Sequence, residues 1–194
     1  MREMSLKTHL LAFAVALCAL VLAGCAASPA GKTGAGRTSY LDKVASPGCL
    51  KGGAVNPALS PPVLYQGMIS CVKAGYLADG VLLFAQAGAY SYYDALRVDT
   101  DAARRAHSTM LGEALNMLGE DQRQAFWRAI NDRLGNRQQL PQLCRQIEDI
   151  GRPVYLPTYL IRPGDDSGGH GDAELWNRAL KNYLHCPTDI LTIR

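Results

Sequence analysis

The sequence predicts a mostly α protein: a single helical domain of about six helices, an irregular Pro-rich segment towards the C-terminus, and two disulfides. Three observations lead there. Apolar residues recur at helical spacing in runs that end at Gly75, Gly119, Gly135 and Gly151. Helix starters stand ahead of those runs: Pro61-Pro62, Asp99-Thr100-Asp101, Glu120-Asp121 and Pro141. Four cysteines, Cys49, Cys71, Cys144 and Cys186, are spread over the same region.

The helices follow in order. Pro61-Pro62 suits a first turn, where missing amide donors do no harm. Leu64, Met68, Cys71 and Val72 then share a face as far as Lys73, and Gly75 breaks the run. A second helix is expected from Leu77 to Ala87, with Val81, Phe84, Ala85 and Gly88 on one side. Asp99-Thr100-Asp101 caps a third, reaching Leu118, with Ala103, Ala106, Met110, Ala114 and Met117 as its stripe. Glu120-Asp121 opens a fourth around Phe126, Ile130 and Leu134, closed by Gly135. Pro141 opens a short fifth with Leu143, Ile147 and Ile150. Residues 153–163 hold three prolines amid strand-like residues, so an extended segment across the helices is expected rather than a central strand. Gly164 to Asp172 reads as a surface loop, and a last helix, capped by Asp172, runs to Leu184 with Leu175, Trp176, Ala179, Leu180 and Tyr183 inward.

Between the second and third helices stand Tyr90, Tyr92 and Tyr93. The plainer expectation is a packed loop. The sharper one is a partner-binding surface built from Tyr90, Tyr92, Tyr93 and Arg97, because aromatic anchors dominate interface energies.

The N-terminus carries a different signal. Arg2 and Lys7 precede an apolar run from Leu10 to Ala23 that ends in Leu22-Ala23-Gly24-Cys25. This is the layout of a secretory signal peptide, and the run falls short of the roughly 20 apolar residues a membrane-spanning helix needs. Leu-Ala-Gly-Cys resembles the lipobox of bacterial lipoproteins. The resemblance implies a diacylglycerol on the Cys25 thiol, cleavage just before it and acylation of the new amine. With Ala26 next rather than an aspartate, it also implies an outer-membrane location facing the periplasm. Residues 1–24 are then the signal, 25–59 a flexible Gly/Ala/Ser/Pro-rich tether, and 60–194 the helical domain. The stretch Gly75 to Ala87 resembles the turn and second helix of a tetratricopeptide or Sel1-like repeat: the glycine closes the turn, small residues permit close approach, and Phe84 fills the gap. Such repeats usually bind proteins, but no second copy occurs at a matching offset, and a plain hairpin explains the same residues.

Composition narrows the function classes. Removing Arg2, Lys7 and Glu3 takes 20 basic and 17 acidic residues to 18 and 16, a net charge of +2. That is no basic footprint for nucleic acid. Of six cysteines, Cys18 leaves with the signal and Cys25 takes lipid, so Cys49, Cys71, Cys144 and Cys186 remain to pair in an oxidising compartment. Four cysteines allow three connectivities, and sequence does not choose among them. The expected pairs are Cys49–Cys71 and Cys144–Cys186, each tying a less regular segment to a helix. A zinc site would need close CxxC or HxxxH pairs, which are absent from the sequence.

Catalytic chemistry has few candidates. Residues 26–33 satisfy a permissive phosphate-loop pattern, but without the strand before and helix after that aim backbone amides at a phosphate. Asp165, Asp166, His170, Asp172 and Glu174 could hold a metal or serve a hydrolase with His185, although their spacing is not that of an EF-hand. No catalytic residue, metal ligand or cofactor is assigned. The sequence favours an envelope-anchored protein-binding or structural module, with the membrane (through its lipid) and an unidentified envelope protein as partners. A periplasmic hydrolase or metal-binding protein using the Asp165–Glu174 loop is the alternative. In size, tether and disulfide content the chain also resembles periplasmic immunity lipoproteins, by layout alone.

Overall fold

A computed structural model describes residues 39–161 and 173–191. Among them are six α-helices and no strand: α1 (Pro61–Lys73), α2 (Leu77–Val98), α3 (Asp101–Asn116), α4 (Glu120–Leu134), α5 (Leu140–Ile150) and α6 (Ala173–Tyr183). None of these helices is long and apolar enough to cross a membrane.

Helix α2 is the axis of the fold and touches all five others. Its composition explains how. Gly80, Ala85, Ala87, Gly88, Ala89 and Ser91 are all buried, and these small side chains let neighbours approach from several sides. A Cβ on Gly80 would sit 3.0 Å from Val72 Cγ2 and 3.4 Å from Phe126 Cε2, so α1 and α4 both close onto that point. Phe84 fills the adjacent gap, edge-on to Phe126 at 6.1 Å and to Trp127 at 6.5 Å.

Chain breakers set most helix ends. Gly75 takes φ +80°, and the turn after α1 is a Schellman motif: Tyr76 N–H donates to Cys71 O at 2.9 Å and Gly75 N–H to Val72 O at 3.0 Å. Thr100 caps α3, its hydroxyl accepting from Ala103 N–H at 3.1 Å. Gly119 precedes α4, Gly135 follows it, and Gly151 at φ +92° ends α5. Leu143, Cys144 and Ile147 of α5 and Trp176, Ala179 and Leu180 of α6 form the buried stripes. On α3 the stripe stops at Ala114, since Met117 is exposed. The segment expected to be extended over residues 153–163 has bends and a turn as far as residue 161, the rest lying outside the described residues, and Leu175 and Tyr183 of α6 are only partly covered.

Two expectations are corrected. First, α2 does not stop at Ala87. It runs on to Val98, so Tyr90, Tyr92 and Tyr93 are helical and not in a loop. Nothing between Gly88 and Asp99 forbids helix, and only Asp99, at φ 49°, turns the chain out. Second, the body begins earlier than Ser60. Leu41 and Val55 are buried. Glu113 Oε2 accepts from Ser39 Oγ, Tyr40 N–H and Leu41 N–H at 3.0, 3.0 and 3.2 Å. Gln66 Nε2 donates to Leu41 O at 2.9 Å. Residues 39–41 are therefore laid on α1 and α3 rather than free of them, and Cys49 is tied to α1.

Both expected disulfides are formed. Cys49–Cys71 fastens the N-terminal segment to α1, with Cα atoms 4.4 Å apart, and Cys144–Cys186 fastens the end of α6 to α5, at 5.8 Å.

Candidate functional site

Tyr90, Tyr93 and Arg97 come together, but inside the molecule. Tyr90 and Tyr93 are 0% and 1% exposed, which removes them from any surface and corrects the partner-binding assignment. Tyr90 donates its hydroxyl to Gly151 O at 2.7 Å, and both rings pack on Trp176, at 5.6 and 6.0 Å. Arg97 Nε donates to Asp94 Oδ1 at 2.9 Å and its Nη2 to Tyr155 O at 3.0 Å. Asp94 Oδ2 in turn accepts from Tyr155 and Tyr159 hydroxyls at 2.9 and 2.6 Å.

This buried cluster clamps the Pro-rich segment to α2. Burial pushes the Asp94 carboxyl above the ordinary aspartate range, while Arg97 and the two phenols pull it back. Burial and the neighbouring Asp94 also push the Tyr155 and Tyr159 phenols well above theirs. The guanidinium lies between the Tyr93 and Tyr155 rings, 5.2 and 5.5 Å from their centres. Every charge in it is matched within the chain, so the arrangement is structural.

Tyr92 is the exception among the four. It is half-buried on the wall of a cleft of about 320 Å³ between α2 and α3. Its neighbours there are Ser91, Leu96, Asp99, Arg104 and His107. Arg104 holds Asp99 and Asp101 at 2.7 Å each, on the exposed rim. At the back, His107 Nδ1 lies 2.7 Å from the Tyr65 hydroxyl, and its ring meets Tyr183 edge-on at 5.0 Å. Burial pushes His107 down to about 4, so the imidazole is neutral at neutral pH. Burial, and to a lesser degree the nearby Tyr183 phenol, keeps Tyr65 protonated well above the usual phenol range. The neutral imidazole, with Nδ1 taken by Tyr65, and the ion-paired rim can exchange hydrogen bonds with a polar or aromatic group in the cleft. His107 carries no signal of this role in the sequence, because its contacts come from Tyr65, 42 positions before it, and from Tyr183 of α6 far after it.

The other predicted residues are placed as follows. Cys25, the phosphate-loop-like stretch 26–33 and the acidic residues from Asp165 to Asp172 lie outside the described residues. Glu174 is exposed at the start of α6, and His185 is exposed at φ 58°. Among the described residues no three His, Cys, Asp or Glu side chains gather as a metal site.

The class defined here is a mostly α, disulfide-stapled single body over residues 39–161 and 173–191. No protein-family model, curated protein or solved structure matches the chain.

Proposed function

We propose that this is an exported lipoprotein, held in the cell envelope by lipid on Cys25, whose helical body serves as a protein-binding or structural module. The observation that supports it is the cysteine pattern. All four cysteines downstream of Cys25 are consumed in two disulfides, which persist in oxidising compartments and are rare in the cytosol. Every cysteine among the described residues is thus paired with another, so none of them competes with Cys25 as the thiol to take a lipid. The cleft beside Tyr92 offers the body a place for a partner side chain, with an aromatic wall and a neutral histidine behind it.

The test joins two measurements on the protein from its own cells. Mass spectrometry of the N-terminal peptide reads the lipid on Cys25, and Cys25→Ser should release the protein from the membrane fraction. A photo-crosslinking amino acid at position 92 should then capture one dominant envelope protein. An unmodified Cys25 refutes the anchor, and capture no different from that at an exposed position such as Lys73 refutes the cleft.

A further inference from the structure

The most exposed large apolar side chains among the described residues are Val154 and Leu156, at 68% and 65%, ahead of Tyr76 at 48%. Single exposed apolar residues need no explanation. These two differ because they are held outward as a pair. Residues 153–157 alternate: Pro153 and Pro157 are buried, Tyr155 faces inward onto Arg97 and Asp94, and Val154 and Leu156 face out between them. The backbone is pinned as well, with Val154 N–H donating to Pro57 O at 3.0 Å and Thr158 N–H to Leu156 O at 2.8 Å. The pair is a preorganised apolar projection, so little ordering cost opposes its burial.

The path of the chain says what could cover it. Residues 39–40 join the body on the same side as this segment, where the Tyr40 ring meets Tyr159 edge-on at 6.1 Å. Only residues 26–38 separate Ser39 from Cys25, a reach of at most about 50 Å even when fully extended. We propose that Val154 and Leu156 insert into the surface of the bilayer leaflet that holds the Cys25 lipid. This rests on the lipoprotein reading above. Two side chains would not hold a free protein on a membrane, but the anchor makes their contact effectively intramolecular. An extended peptide adding to this edge fits less well, since Pro153 and Pro157 offer no backbone donors to a new strand.

The test uses the lipidated protein in vesicles of phosphatidylethanolamine and phosphatidylglycerol, with and without bromine on the acyl chains. Leu156→Trp should fold normally, because the site is exposed. Its added emission, over that of Trp127 and Trp176 in the unsubstituted protein, should shift to the blue and be lost to the brominated lipid. Adding Val154→Asp should restore it. The lipid on Cys25 is read separately by mass, so failure of the anchor is seen directly. A lipidated, vesicle-bound protein whose Trp at position 156 emits as in water, or is quenched no more than the background, overturns the proposal. So does an emission that changes with protein density and not with bromine, since a second copy would then be the cover.

Discussion

Gly88 is the position where one methyl group tests the packing logic of the whole fold. Tyr183, the last residue of α6, lays its hydroxyl and ring edge directly on the Gly88 backbone. A Cβ there would overlap the Tyr183 hydroxyl, Cζ and Cε1, all inside the 3.0 Å limit that real Cβ contacts respect. The ring cannot slide aside cheaply, because Tyr92 and His107 flank it with ring centres 6.4 and 5.0 Å away. Gly88→Ala therefore combines two opposed effects. Replacing glycine inside a helix stabilises by up to about 1 kcal/mol. Overpacking a tight contact costs about 1–3 kcal/mol, and the upper end applies when a ring must give up its aromatic neighbours. The net expectation is a loss of about 2 kcal/mol, or roughly 4–8 °C in Tm for a domain of this size.

The decisive assay is a double-mutant cycle by urea denaturation. In a Tyr183→Ala background the obstruction is gone, while Cys144–Cys186 still fastens the end of α6. There Gly88→Ala should become stabilising, giving a coupling of about 3 kcal/mol. If Gly88→Ala stabilises the unsubstituted protein, or has the same effect in both backgrounds, the account of how α6 seats on α2 is wrong.

Three further expectations follow from the same interior. His107 is held down to about 4 from 6.5, so it resists protonation in the fold; its contribution is full above pH 6.5 and is lost as pH falls towards 4, by up to about 3 kcal/mol, and His107→Gln should flatten stability over that window relative to the unsubstituted protein. Asp94→Asn strips the charge from a carboxylate that is fully buried and leaves the nearly buried Arg97 unpaired, which should cost about 3–5 kcal/mol by denaturation and open residues 153–161 to proteolysis first. Replacing Cys144 and Cys186 together by alanine releases a loop of 42 residues and should cost about 4 kcal/mol by chain entropy, against about 3 kcal/mol for the 22-residue loop of Cys49 and Cys71; the reverse order in thermal unfolding would count against the loop-length argument.

What the sequence made legible was local. Prolines at Pro61, Pro62 and Pro141, the cap at Thr100, and the glycines at 75, 119, 135 and 151 act within a turn of where they stand, and the helix ends they predicted are found there. The cysteine pairing held as expected, each bridge tying a less regular segment to a helix. What escaped was long-range. Leu41 and Val55 are lone apolar residues in a Gly/Pro-rich stretch, and only tertiary packing, for Leu41 against α1 and α3, makes them core. Glu113 looks like any surface acid on a helix until three donors from residues 39–41 arrive at it. The end of α2 was misplaced because three tyrosines in four positions suggested a loop, although no breaker occurs before Asp99.

The tyrosines show why a binding motif and a packing motif can share one sequence. A tyrosine pairs a large apolar body with a polar tip that needs a partner, which suits an interface whichever chain supplies the other side. Tyr90 and Tyr93 do form an interface, with Trp176 of α6 and the carbonyl of Gly151. The covering surface comes from this same chain, 58 to 86 residues further on. Composition alone carries no information about that distance. The pairing that would have revealed it is Asp94 with Arg97 at i, i+3, a buried charge pair whose remaining oxygen calls for outside donors. Tyr155 and Tyr159, spaced four apart in a segment too proline-rich to form its own ladder, are the donors that answer it. A polar cluster of this kind turns an irregular segment into fixed structure, and in doing so sets the two residues that point the other way, Val154 and Leu156, on the outside.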